Sequence, residues 1–244
     1  MLVRAVPLGL LAGLVAVAFE LMLVAAERAR RLGFIYAEDL GQWGWLVAIG
    51  GCALSVGIGV WLVQALAPDA AGSGIPQIKA VLHHNRTMRA LRVLTVKFLG
   101  GVLAIGGGLT LGREGPTVQM GAALGQYLSD VTDTHAEDRR IITSAGAGAG
   151  LAAAFNAPLA GMLFVIEELH GFISPPLLFA VFIAAVAADV VTRTIFGQVS
   201  AFHVPMPVIP PLYELPWAAL LGILAGLSGV LFNRALLYTH RLMA

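Results

Sequence analysis

The sequence predicts an all-α membrane protein whose middle third is made of broken helices, and three observations carry that expectation. Of its 244 residues 58% are apolar and only 12% charged, and the mean hydropathy of +0.85 lies well away from that of a soluble domain. Several apolar runs reach the roughly 20 residues a helix needs to cross about 30 Å of hydrocarbon. From Pro68 to about residue 170, glycine and proline interrupt the apolar runs repeatedly. In lipid every backbone N–H and C=O must be satisfied internally, so broken helices survive only where they are buried in protein or line a wet cavity. The middle third is therefore where a site is expected.

Residues 7–27 and 44–67 read as two long spanning helices, parted by the polar stretch Glu27-Arg28-Ala29-Arg30-Arg31 and a turn from Tyr36 to Trp43. The first run continues past signal-peptide length and lacks a convincing cleavage site. After Pro68 the segments shorten, to about 75–84, 92–111, 116–130, 140–154 and 158–169. Two longer runs follow at about 175–196 and 213–237, joined by the proline-rich stretch His203 to Pro211. Basic residues give a mixed orientation signal, because the cluster at 28–31, the loop at 83–92 and the pair Arg139-Arg140 all claim the cytoplasmic side. The small-residue run Ala145 to Gly150 suits close helix contact in lipid and reads as a packing seam without a ligand.

Three places share one grammar: a small or capping residue, a proline, then an apolar helix. They are Gly72-Ser73-Gly74-Ile75-Pro76, Glu114-Gly115-Pro116 and Asn156-Ala157-Pro158. Proline suits the first helical turn, where its missing N–H costs nothing, and Ser, Asn and Gly suit the cap, so each place is predicted to start a helix. A helix start presents unpaired N–H groups and about half a positive charge, which attract anions. Discontinuous helices aimed at the bilayer midplane let transporters hold an anion without burying a full positive charge. Glu114 stands at one of these starts. An ionised carboxylate at a membrane centre costs about 2.5–3.5 kcal/mol on insertion scales, and a helix N-terminus returns at most about 2 kcal/mol. The two nearly balance. A mobile anion using the same amides competes with Glu114 directly, which makes it a gate that can also take a proton.

Glu167 and Glu168 close the apolar helix that starts near Pro158. Adjacent helical positions point about 100° apart, so at most one faces a given pathway while the other pairs or caps something nearby. The dipole at a helix C-terminus disfavours an acid and so favours proton uptake; a solvated end just outside the membrane is the competing reading. Lys97 and Arg113, inside otherwise apolar runs, read as structural counter-charges, and Glu20 in the first long helix reads as structural.

Other chemistries find little support. Cys52 is the only cysteine, which excludes an internal disulfide, and a formal net charge of +1 suggests no nucleic acid or other polyanionic partner. His135, His170, His203 and His240 fall at segment ends, and no pair of His or Cys residues has metal-ligand spacing. Ala71 stands where a Gly-x-Ser-Gly nucleophile turn needs glycine, and no Walker-type run exists. Neither an enzyme, a metal nor a cofactor is expected.

Three stretches resemble the signatures of the CLC chloride channel and chloride/proton exchanger family: Gly72-Ser73-Gly74-Ile75-Pro76, Gly112-Arg113-Glu114-Gly115-Pro116 followed by Thr117-Val118-Gln119, and the run Gly146 to Ala154 leading into Phe155-Asn156-Ala157-Pro158-Leu159-Ala160-Gly161. The resemblance extends from about Val17 to the C-terminus. It implies tilted, partly re-entrant transmembrane helices forming the first inverted repeat of a CLC-type fold, one transmembrane domain over 1–244. It also implies a homodimer with a separate anion pathway in each subunit, set in membrane lipid, with a bacterial inner membrane as the expected setting. Chloride would be held by the Ser73 hydroxyl and by Gly74, Ile75, Arg113, Glu114 and Gly115. Glu114 would be the outer gating and proton glutamate and Glu168 the inner proton glutamate, an acid that channels of the family usually lack. Chloride/proton antiport is thus the favoured function, with a passive voltage-dependent chloride channel and a non-transporting subunit as alternatives. Lys97 matches a buried lysine of the family. Gln77 and Lys79 replace acids common in the exchangers, and the Gly-x-Phe-x-Pro turn and tyrosine that a second repeat supplies do not appear, so the chain is expected to be the N-terminal half of such a protein, either a fragment or one part of a split transporter whose partner is a missing C-terminal half.

Overall fold

The computed structural model describes residues 2–83, 86, 88–198 and 211–243; His84, the proline-rich joint over 203–210 and the side chain of His240 lie outside them. Among the described residues there is no strand. The chain divides into two compact units, residues 1–201 and 202–244. The first holds α1 (Leu2–Asp39), α2 (Gly44–Leu66), α3 (Ile75–Leu82), α4 (Ala90–Gly106), α5 (Glu114–Val131), α6 (Ala136–Phe155), α7 (Pro158–Phe164), a π-helical turn (Val165–His170) and α8 (Pro175–Phe196). In the second, a 3-10 turn at Leu212–Glu214 leads into α9 (Leu215–Met243). Four of these helices are long and apolar enough to cross a membrane: α1, α2, α8 and α9, with the short turns before α2 and α9 counted in.

The first helix departs from the sequence expectation. Glu27, Arg30 and Arg31 do not separate two segments but lie inside α1, which runs 38 residues to Asp39, about 57 Å at roughly 1.5 Å per residue. Glu, Arg, Ala and Leu are all good helix formers, so polarity alone gives the backbone no reason to stop. The turn comes at Gly41, whose φ of +64° a side chain rarely adopts. The charged residues on this extension are used: Arg31 pairs with Glu27 one turn away at 3.3 Å. Arg30 donates to the carbonyls of Ile105 at 3.3 Å and Gly106 at 3.1 Å, capping the C-terminus of α4.

Close backbone approach holds the first unit together. Without a hydrophobic drive between helices in lipid, small residues at the crossing set how tightly two helices pack. Gly121 and Gly125 of α5 lie against Gly146 and Ile142 of α6 so closely that a Cβ on either glycine would collide with the facing carbonyl oxygen, and Gly150 stands likewise against Thr117. Gly161 of α7 meets the Gly148 carbonyl on the other side of α6. The predicted seam is thus real, and residues 145–150 of α6 are buried apart from solvent throughout. A second seam, unread in the sequence, joins α1 to α8. A Cβ on Gly13 would fall 2.8 Å from the Ala188 carbonyl oxygen, and one on Gly9 would collide with that of Ala184. The main core cluster draws on α1, α3, α5, α6 and α8, together with the π turn.

Candidate functional site

The site starts where α2 ends. After Leu66 a 3-10 turn at Pro68–Ala70 leads through Gly72 to Gly74, the N-cap of α3, at φ +83°. Gly74 is required twice over, for that conformation and because a Cβ there would strike the Gln119 side chain. Two side chains brace the loop from beneath. Lys97 of α4, 5% exposed, donates its Nζ to the carbonyls of Ala70 at 2.9 Å and Gly72 at 2.5 Å. Gln119 of α5, fully buried, donates Nε2 to the Asp69 carbonyl at 2.8 Å and to Gln77 Oε1 at 2.5 Å. The Lys97 charge therefore compensates backbone carbonyls of the loop rather than a carboxylate, which corrects the counter-charge expectation for it.

The second helix start sits directly against this loop. A Cβ on Gly115 would lie 2.9 Å from the Ser73 carbonyl oxygen and 3.3 Å from its Cβ, so the backbone at the start of α5 touches Ser73. Glu114 is the first residue of α5 and Arg113 its N-cap. The first amides of a helix have no intrahelical partner, and Pro76 and Pro116 carry no N–H at all; the starts of α3 and α5 thus leave the amides of Ile75, Glu114 and Gly115 without an intrahelical partner. Ser73 is exposed, Gly74 buried, and Ile75 half-buried against the main core. Arg113 turns its guanidinium away, pairing with Glu20 of α1 and donating to the Ala154 carbonyl at 3.4 Å. Its counter-charge reading holds, and so does the structural reading of Glu20.

Three cavities meet at these residues. One of about 600 Å³ is lined by Ser73, Lys97, Glu114 and Gly115. A second, about 490 Å³, lies on the side of Glu20, Glu27, Arg30 and Arg113 and also includes Glu114. A third, about 370 Å³, lies along α3 beside Asp69, Gln77 and Arg86 and includes Gly72 and Ser73. Among the described residues Glu114 is the one ionisable side chain common to the first two cavities, and Ser73 is the one hydroxyl common to the first and third. Each stands at a boundary.

The other residues read from the sequence lie elsewhere. The helix start at Asn156-Ala157-Pro158 forms as expected, with Asn156 in the left-handed region at φ +52°, but it lines none of these three cavities. Its position follows from α7 folding back onto α6 through Gly161 and Gly148. Only two of the three predicted starts therefore converge. Glu167 and Glu168 fall in the π turn Val165–His170 rather than at the end of an α-helix, and both are exposed. Glu168 accepts a hydrogen bond from Lys79 Nζ at 2.6 Å. Lys79 is four residues beyond Ile75, the first residue of α3, about 6 Å along the helix axis. His170 closes the same turn; its ring Nε2 lies 2.8 Å from Ser144 Oγ, which itself donates to the Arg140 carbonyl at 2.8 Å, so His170 is the donor. Burial, and then the charges of Arg140 and His83, push the His170 imidazole below its ordinary value.

Sequence reasoning gave no part to Gln119 and missed the Lys79–Glu168 contact. Gln119 carried one signal, a polar residue in an apolar helix one turn past the Pro116 start. Lys79 stood out in the sequence as a base where the exchangers commonly have an acid, but nothing local pointed to its partner, 89 residues away.

Comparison with known proteins finds relatives of the whole fold. Residues 51–244 match the family described as voltage gated chloride channel. The H(+)/Cl(-) exchange transporter ClcA of Vibrio cholerae is 47% identical over 230 residues, covering 92% of this chain and 49% of that protein. ClcA of Cronobacter sakazakii is 43% identical over 232 residues, 94% of this chain and 50% of that one. A solved structure of a slow cyanobacterial Cl−/H+ antiporter superposes with a TM-score of 0.88 at 36% identity, over 96% of this chain and 55% of its own. A eukaryotic CLC transporter gives 0.78 at 27%, over 94% and 42%. The chain spans about half the length of the exchangers it matches.

Proposed function

This chain belongs to the voltage-gated chloride channel family, and on that premise we propose that it works in chloride/proton antiport across a membrane, with Glu114 as the gate. The amides at the starts of α3 and α5, with the Ser73 hydroxyl, bind chloride between them. Ionised Glu114 occupies an anion position at the same amides; protonated, it loses the attraction of the helix dipole and yields the position to chloride. Glu168 takes protons from the opposite side. Arg113 contributes its backbone, its side chain being committed to Glu20. Two copies assemble as a homodimer with one pathway each, and a segment corresponding to the rest of the relatives' length completes the transporter.

The observation that carries this reading is that Glu114 is, among the described residues, the one ionisable side chain shared by two adjoining cavities, at a helix start packed on Ser73. The test is Glu114→Gln in proteoliposomes holding the assembled transporter. Chloride flux should persist and proton movement against its gradient should vanish. Retained proton coupling would refute the gate.

A further inference from the structure

We propose that Lys79 is a positioning residue for proton uptake, holding the Glu168 carboxylate on the flank of α3 and competing with the incoming proton for Oε1. The inference rests on the reading of Glu168 as the inner proton acceptor. Its basis is the contact itself: Nζ of Lys79 lies 2.6 Å from Glu168 Oε1, an ammonium against a carboxylate. Protonation moves one H⁺ from water onto that oxygen, releases Lys79 with its own charge unchanged, and leaves the carboxyl neutral and free of the tether. Discharge inward reverses the step and lets the ion pair reform.

The tether joins two functional parts of the fold. Lys79 belongs to α3, whose N-terminus presents Ser73 and Gly74, while Glu168 belongs to the π turn, a non-standard helical segment of a kind often found at working sites. Elements packed on this turn are α3, α6 and α7. Lys79 comes from α3 and His83 from its C-cap, and Arg140 comes from α6, where it acts on His170. The turn adds Glu167 and His170, and α7 carries no ionisable side chain. Among the described residues, Lys79 is the one that hydrogen-bonds to and ion-pairs with Glu168. Its side chain is 40% exposed and that of Glu168 50% exposed, so the pair is weak, of the size measured for solvent-exposed pairs. Salt screens it.

The experiment measures chloride-driven proton flux in proteoliposomes of the assembled transporter as the pH on the Glu168 side is varied. Lys79→Gln should move the half-maximal pH upward and raise proton flux near neutral pH about two- to fivefold. Lys79→Arg should restore the wild-type profile. Raising ionic strength should shift the wild type in the same direction as Lys79→Gln and barely move that variant. An unmoved profile in Lys79→Gln, or an Arg variant that behaves like the Gln variant, would overturn the proposal. Failure of the underlying reading looks different: Glu168→Gln would then keep full proton coupling whatever stands at position 79.

Discussion

Lys97 shows what a buried charge does when no carboxylate meets it. Its ammonium is spent on the carbonyls of Ala70 and Gly72, which fixes the loop that presents Ser73. Replacing it by Met leaves two carbonyls without a donor, and losing such partners costs about 1–3 kcal/mol. Lys97→Met should therefore lower the thermal unfolding midpoint in detergent, and an unchanged midpoint would contradict the bracing role. His170 makes a prediction of opposite kind, about pH. Its folded-state proton affinity lies below the ordinary value of 6.5, so the unfolded chain binds the proton more readily. The stabilisation is complete above about pH 6.5 and is lost as pH falls through the lower folded value. Unfolding midpoints measured from pH 8 to pH 5 should fall less steeply in His170→Gln than in the wild type. Single residues were also where the sequence was least complete. The helix starts beside Ser73 and at Glu114 were legible because helix-start chemistry is local: cap, proline and dipole all lie within five residues. The partners of Lys97, Lys79 and Glu20 were not, because each lies more than 20 positions away and no local rule selects it.

At the level of elements, composition spoke clearly where an apolar run was uninterrupted and bounded by Pro or Gly. The run read at 175–196 is α8, Pro175–Phe196, and the run read at 44–67 is α2, Gly44–Leu66. It misled where charge was taken for an ending, as in α1, and it carried no sign of the π turn, which differs from an α-helix by one step of hydrogen bonding. The Ala/Gly run of α6 announced its seam, whereas Gly9 and Gly13 did not, being two glycines in an ordinary apolar helix whose partners Ala184 and Ala188 lie far along the chain. Glycines give a sharp test at this scale. Gly146→Ala puts a methyl into the Gly121 carbonyl across α5 and α6, and such overpacking typically costs about 1–3 kcal/mol. Gly50→Ala in α2 meets nothing within 4 Å and should be neutral or stabilising by up to about 1 kcal/mol, since Ala is the better helix former. Unfolding midpoints of the two variants should separate accordingly; equal midpoints would mean that the seam does not set stability.

For the molecule as a whole, the proposed anion site draws on the interrupted helices of the middle third, whose ends supply partial charge in lipid at modest electrostatic cost. Partial charges from two peptide ends converge at Ser73 and Gly115, while the full positive charges nearby are committed, Lys97 to carbonyls and Arg113 to Glu20. The account therefore predicts that the anion is held by backbone ends and a hydroxyl, in exchange with one carboxylate. The most direct measurement is anomalous diffraction from crystals grown in bromide, comparing wild type with Glu114→Gln. A bromide peak within hydrogen-bonding reach of the Ser73 hydroxyl and the amides opening α5, strengthened or extended into the position of the carboxylate in the variant, is the expected result. Bromide bound only away from residues 73 and 115, with the same occupancy in both proteins, would contradict it.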